Sequence, residues 1–242
     1  YAGLSGFNEN SQYNNVNCIL ENIDGSIFLG GYFTKFNNVN VGNLILINAN
    51  GTLNTTFNIV NTGFRMDSNV GLVKTILKRT DGKILVGGNF NSFNGNSVSG
   101  LVILNSNGTY YTNYNIGTSV KSMSLQSDGK LLVCTGSLLK RFLANSTIAD
   151  ASFVIDSNIS SSSISSFKVQ SDDKIYIQGS FTINGASRSL LRLNSNGSID
   201  NTFDLTFQNT PLSLNSFNLL PNNKILIIEI LTNITKVQRL NN

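Results

Sequence analysis

A single unit that recurs along the chain limits this sequence more than any other feature. Four segments read alike: Cys18 to Gly31 (CILENIDGSIFLGG), Ile76 to Gly88 (ILKRTDGKILVGG), Met123 to Gly136 (MSLQSDGKLLVCTG) and Phe167 to Gly179 (FKVQSDDKIYIQG). A fifth, Phe217 to Ile228 (FNLLPNNKILII), keeps the pattern with Asn222-Asn223 at its centre. Each is an apolar run, a D-G-like dipeptide and a second run built on Ile, Leu and Val. That order describes a β-hairpin, because Gly, Asn and Asp tolerate the positive φ values of a tight turn between twisted strands.

A second hairpin follows the first in four copies: Leu44 to Gly51, Leu101 to Gly108, Leu138 to Ser146 and Leu190 to Gly197. Each leads into a short stretch ending on an aromatic residue: Phe57, Tyr114, Phe153 or Phe203. Two hairpins in series give a four-stranded antiparallel meander. The turn residues Asp24, Asp81, Asp128, Asp172 and Asn222 are 57, 47, 44 and 50 residues apart, a period that suits one propeller blade.

The termini fix the expected count. Residues Val237 to Asn242 match a third strand and the start of a turn, whereas Gly3 to Asn8 resembles Gly51 to Asn58, the start of a fourth. The sequence therefore predicts an all-β, five-bladed β-propeller of four-stranded antiparallel blades, a single domain over residues 1–242. Its repeats fall at about 12–64, 65–117, 118–158, 159–208 and 209–242, the last completed by 1–11. Pairing Leu4 to Phe7 with Thr235 to Leu240 would close the ring and remove its exposed edge.

Composition narrows the chemistry. The chain has no His, so the commonest general base and zinc ligand are absent, and with them any Ser-His-Asp or Cys-His pair. A net charge of +4 comes from 17 scattered basic residues with no run to track a phosphate backbone, so no nucleic-acid partner is expected. No apolar stretch approaches the ~20 residues of a membrane-spanning helix, so no membrane insertion is expected. Cys18 and Cys134 lack metal-ligand spacing and lie in non-adjacent units, which makes them buried free thiols.

Candidate residues then sort by the unit. Gly30-Gly31 and Gly87-Gly88 end second strands, where a missing side chain permits close backbone approach or a bulge; no phosphate-cradle spacing surrounds them. Asp24, Asp81, Asp128, Asp172 and Asp173 are turn residues spread around the ring, not a glycosidase pair. The N-x-N-G strings at Asn48, Asn105 and Asn194 place neutral amides where a calcium loop needs carboxylates. Neither metal nor cofactor is expected. The sequons are what 38 asparagines produce by composition.

A propeller gathers two kinds of connection on one rim. Here these are the loops Tyr32 to Val41, Asn89 to Ser99 and Ser180 to Ser189, and the links Ile59 to Gly71 and Ile155 to Ile164. Phe36, Phe64, Arg65, Phe93 and Arg188 are their large side chains, set among Asn, Ser and Gly as a sugar or protein contact surface would be. The competing reading is that Phe36 and Phe93, which recur at matching positions, pack against the adjacent blade.

The strings Leu125 to Val133 (LQSDGKLLV), Gly87 to Phe90 (GGNF) and Leu193 to Phe203 (LNSNGSIDNTF) together resemble the delta-60 repeat, a β-propeller module. The resemblance covers nearly the whole chain, with unit three lacking the Phe-containing connection and unit five carrying Ile228-Glu229 at the Gly-Gly position. It implies an extracellular bacterial protein or a bacteriophage tail component, hence binding and not catalysis. The leading expectation is a non-enzymatic phage virion or tail-fibre propeller for host attachment or appendage assembly. Its partners would be other virion structural proteins or a cell-surface glycan or protein, with homo-oligomers inside a larger assembly. The alternative is an adhesion or scaffold module of a secreted bacterial surface protein. An enzymatic reading, a carbohydrate lyase or hydrolase, would need Tyr, Arg, Lys or carboxylates converging in a cleft.

Overall fold

The computed structural model describes residues 14–57, 62–203, 214–220, 224–231 and 234–240, and every regular element among them is a β-strand. The chain divides into two compact units, Tyr1–Met123 and Ser124–Asn242. In the first, the strands are β1 (Asn14–Glu21), β2 (Ile27–Phe33), β3 (Lys35–Phe36), β4 (Val39–Asn40), β5 (Leu44–Ile47), β6 (Phe64–Met66), β7 (Asn69–Val70) and β8 (Leu72–Lys78). They continue with β9 (Ile84–Asn89), β10 (Ser92–Phe93), β11 (Asn96–Ser97), β12 (Gly100–Leu104) and β13 (Tyr110–Asn115). After β14 (Ser122–Leu125), inside which the division falls, come β15 (Leu131–Cys134), β16 (Leu139–Phe142), β17 (Ser160–Val169), β18 (Ile175–Ile183) and β19 (Ala186–Leu193). The last three are β20 (Leu214–Leu219), β21 (Ile225–Leu231) and β22 (Ile234–Leu240).

Each sequence repeat builds one main sheet: β1-β2-β5, β8-β9-β12-β13, β14-β15-β16, β17-β18-β19 and β20-β21-β22. Central strands are buried: β9 from Ile84 to Gly88, all of β12, all of β15, and β18 from Ile175 to Gln178. Their β-branched and Leu side chains fit a strand covered on both faces.

The turns share one chemistry. At Asn22 to Ser26, the Asn22 N–H donates to Ser26 O and the Gly25 N–H to Asn22 O, with Gly25 at φ 77. This is a type I turn closed by a left-handed residue, the three-residue hairpin loop. Asp24 does not supply the positive φ; its Oδ1 accepts from the Ser26 N–H at 2.9 Å. The same bonds recur at Arg79 to Lys83, Gln126 to Lys130 and Gln170 to Lys174, and in the second hairpins at Asn48 to Thr52, Asn105 to Thr109 and Asn194 to Ser198.

Four full strands occur only in the second repeat among the described residues. In the first, third and fourth repeats the fourth strand shrinks to one bridge: Ile47 with Leu53, Phe142 with Ala149 and Leu193 with Ile199. The cause is the next residue. Asn54 Oδ1 accepts from the Thr56 and Phe57 N–H groups, Asp150 Oδ1 from Ser152 and Asp200 Oδ1 from Thr202, which bends the backbone out of the ladder. The second repeat has Tyr111 at that position and β13 runs on. The expected pairing of Leu4 to Phe7 with the C-terminal strand lies outside the described residues.

The Gly pairs sit at bulges. Register slips between Val16 and Cys18 opposite Gly30-Gly31, and between Val73 and Thr75 opposite Gly87-Gly88. A Cβ on Gly31 or Gly88 would collide with the carbonyl of Asn15 or Leu72, while one on Gly30 would meet Val73 and Ile76 of β8. One cluster including Phe28, Phe33, Ile45, Phe57, Phe64, Val86 and Phe90 forms the core of the first unit. In the second unit one cluster lies around Leu132, Phe167, Ile177 and Leu191 and another around Tyr176, Phe203, Phe217 and Ile227.

Candidate functional site

The rim segments, expected to be irregular, are largely ordered hairpins. Asn37-Asn38, Asn94-Gly95 and Asn184-Gly185 all have positive φ and turn β3 into β4, β10 into β11 and β18 into β19. These are two-residue turns of the mirror-image type, and the N-N and N-G dipeptides were the readable signal for them.

In the first unit the link and the loop expected at the rim join in a small sheet of order β11-β10-β6-β7. Phe64 pairs with Phe93 and Arg65 with Ser92, so the aromatic and polar residues take opposite faces. Phe64 is fully buried, with ring centroids 4.5 Å from Phe93 and 4.6 Å from Phe90. Phe36, on the β3-β4 hairpin, joins the same core. Phe36, Phe64 and Phe93 therefore cannot serve as exposed contact anchors; Phe64 and Phe93 hold the rim sheet to Phe90, and Phe36 anchors its own hairpin in the same core.

The opposite face carries Val70, Arg65, Ser92 and Ser97 in register. A guanidinium N–H of Arg65 donates to Ser68 O in the adjoining turn. Asp67 and Asn91 clamp the sheet, the Asp67 N–H donating to Asn91 Oδ1 at 2.9 Å and Asn91 Nδ2 to Asp67 Oδ1 at 2.7 Å. Asn113 Nδ2 donates to Ser97 O. The sequence pointed to Arg65 and missed Asp67, Asn91, Ser92 and Ser97, because nothing local shows that two segments 24 residues apart share one sheet. Arg188 lies in the second unit on β19, opposite Phe181, and donates from Nη1 to Ser187 O.

Near the start of β8, Lys74 Nζ donates to Ser119 Oγ at 3.1 Å. Burial, and then the charge of Lys121, push this ammonium below the usual lysine range.

The carboxylates face the turns and their cationic neighbours. Arg141 Nε meets Asp150 Oδ2 at 2.9 Å and Arg192 Nε meets Asp200 Oδ2 at 2.6 Å, equivalent pairs in consecutive repeats. The Ser152 hydroxyl, with Arg141 and Lys130, lowers Asp150 to about 2. At Asp200 burial alone would raise the carboxyl, but Lys174, Thr202 and Arg192 together hold it well below the carboxylate range. Tyr111, which replaces these acids in the second repeat, instead lies under Lys83 with Nζ 4.3 Å from the ring centroid. Among the described residues no three His, Cys, Asp or Glu side chains are grouped to hold a metal ion. Cys18 and Cys134 are thiols outside any disulfide; Cys134 is buried as expected, whereas Cys18 is half-buried, and burial pushes it up to about 12, an inert thiol.

A family model described as a domain of unknown function with a beta-propeller fold matches residues 24–57, 79–109 and 170–203. The fold is a β-propeller fold. The propeller sheets are similar to three solved structures. For the extracellular domain of a protein described as a one component system from B. thetaiotaomicron, the identity is 18% and the TM-score 0.58, over 93% of this chain and 27% of that one. PorZ, a bacterial surface component of the type-IX secretion system of Porphyromonas gingivalis, is 16% identical with a TM-score of 0.54, over 94% of this chain and 33% of that one. Virginiamycin B lyase from Staphylococcus aureus is 13% identical with a TM-score of 0.53, over 92% and 68%. The chain thus spans a third or less of the first two. No curated protein matches the sequence.

Proposed function

We propose that this propeller is a non-enzymatic recognition or scaffold module of a bacterial extracellular surface protein, contacting a cell-surface glycan or protein through its rim hairpins. The observation that carries this reading is the Arg65, Ser92 and Ser97 face of the rim sheet, a guanidinium and hydroxyls fixed from behind by the Phe64, Phe90 and Phe93 rings. A rigid polar face with one guanidinium suits recognition, since little side-chain freedom is lost on binding. The absence of His and the engagement of Asp150 and Asp200 as ionised turn acids both favour binding over acid-base chemistry. Likeness to a lyase at 13% identity speaks for fold alone.

A bacterial surface location is preferred over a phage tail fibre because the relatives named above include an extracellular domain and a secretion-system surface component. In this reading the five repeats form one closed domain, the last repeat completed by the N-terminal segment; the five-fold repeat of the sequence supports it.

Glycan-array and cell-surface binding by the purified chain, with Arg65→Ala beside it, tests the proposal. Retained binding without product release, weakened about tenfold by the substitution, is expected from loss of one charged hydrogen bond. Release of new reducing ends, or binding indifferent to Arg65, overturns it.

A further inference from the structure

The chain contains five Asn-Gly pairs, at Asn50, Asn94, Asn107, Asn184 and Asn196. This dipeptide is chemically labile: the glycine nitrogen attacks the asparagine Cγ, an N–C bond closes a succinimide ring and ammonia leaves. Water then opens the ring to aspartate or isoaspartate. The reaction needs a glycine N–H free to attack and a side-chain amide free to turn toward it.

Four of the pairs are held against it. The N–H groups of Gly51, Gly108 and Gly197 donate to Asn48 O, Asn105 O and Asn194 O at 2.8, 2.9 and 3.0 Å. In the same turns Asn50, Asn107 and Asn196 each accept through Oδ1 from the N–H and hydroxyl of Thr52, Thr109 or Ser198. Asn94 is held differently, its Oδ1 accepting from the Gly63 N–H at 2.9 Å.

Asn184 has neither restraint. It sits exposed at the tip of the β18-β19 hairpin, whose closing residues are Ile183 and Ala186. Gly185 lies in open space, with no atom within 4 Å of where a Cβ would stand. Among the described residues neither the Asn184 amide nor the Gly185 N–H has a hydrogen-bond partner. Rotation about the Asn184 ψ angle, which brings the two reacting atoms together, is opposed only by the turn itself.

We infer that Asn184 is the deamidation site of this propeller, converting to aspartate or isoaspartate while the other four Asn-Gly pairs persist. The product adds one negative charge at a rim hairpin that also carries Arg188. An isoaspartate would further insert a methylene into the backbone of a two-residue turn and loosen the closing Ile183 and Ala186 pair.

The test is to age the folded protein in mildly alkaline buffer and follow each Asn-Gly peptide by mass spectrometry, with isoaspartate-sensitive cleavage or methyl transfer as a second readout. Asn184 is expected to convert roughly tenfold faster than Asn50, Asn94, Asn107 or Asn196, the factor one hydrogen bond supplies. Thr109→Val, which removes a hydroxyl partner of Asn107, is expected to raise the Asn107 rate and leave Asn184 unchanged. In urea the five rates should converge. Equal rates in the folded protein, or any of the other four leading, overturn the inference.

Discussion

The Ser127 N–H donates to Asp173 Oδ1 at 2.8 Å, and the Ser127 hydroxyl donates to the other oxygen of the same carboxylate. Asp173 stands where the equivalent turns have Gly25, Gly82 and Gly129, and it takes the same left-handed backbone at φ 64. One hairpin turn thus accepts backbone strain so that its side chain can clasp the turn of the preceding repeat. Asp173→Gly removes the strain along with the clasp, and Asp173→Ala removes the clasp alone. Urea denaturation is expected to show losses of about 1 and about 2 kcal/mol in that order. Unchanged stability in Asp173→Ala would refute the clasp, and the reverse ranking would refute the strain.

Gly88→Ala should be far more damaging than a substitution at a turn glycine. Its Cβ would collide with the Leu72 carbonyl at the bulge of the β8-β9 pair, whereas Gly82 has open space around it. A loss of about 3 kcal/mol or failure to fold is expected, against about 1 kcal/mol for Gly82→Ala, where only the positive φ is strained. Thermal melts of the two variants decide the matter.

Acid should unfold the second unit through Asp150 and Asp200. Both carboxyls lie below their ordinary range when folded, so the unfolded chain takes up protons first as the pH drops. Their stabilisation is complete above an unfolded value near ~3.9 and is lost as the pH falls toward about 2. Asp200→Asn leaves Arg192 buried without its carboxylate and is expected to cost about 3 kcal/mol at neutral pH and to flatten the acid limb. An unchanged acid midpoint in this variant would remove Asp200 from the account.

Lys74 offers a test of opposite sign. Its folded value is depressed, so the charged form is the penalised one, and stability rises as the pH climbs through that value toward the unfolded range near ~10.4. Lys121→Gln removes the like charge and should raise the Lys74 value without restoring it, because burial is the larger cause and persists. An NMR titration of the lysine side chains reads this directly; no movement at Lys74 would show that the two charges are uncoupled.

How much of this was written in the sequence depends on the distance over which each feature is decided. The three-residue turns were legible at Asp24-Gly25 and Asp81-Gly82, although the division of labour inside them, Gly for φ and Asp as acceptor, needed coordinates. The glycine pairs were correctly read as points of close approach. The truncated fourth strands were not foreseen, yet Asn54, Asp150 and Asp200 before Thr or Ser carried the signal, and Tyr111 marked the exception. At the rim, Asn94-Gly95 and Asn184-Gly185 read as loop composition in the sequence, but each closes a two-residue hairpin turn.

Local chemistry set the strands, the turns and the repeat, because a left-handed glycine or an acceptor two residues before a donor acts within one turn of chain. The burial of Phe36, Phe64 and Phe93 and the placing of Arg65 on the opposite face were decided elsewhere. For Phe64, Phe93 and Arg65 they follow from β6 pairing with β10 across an intervening hairpin, and for Phe36 from its β3-β4 hairpin joining the same core; alternate residues of a strand go to opposite faces only once its partner and its covered side are fixed.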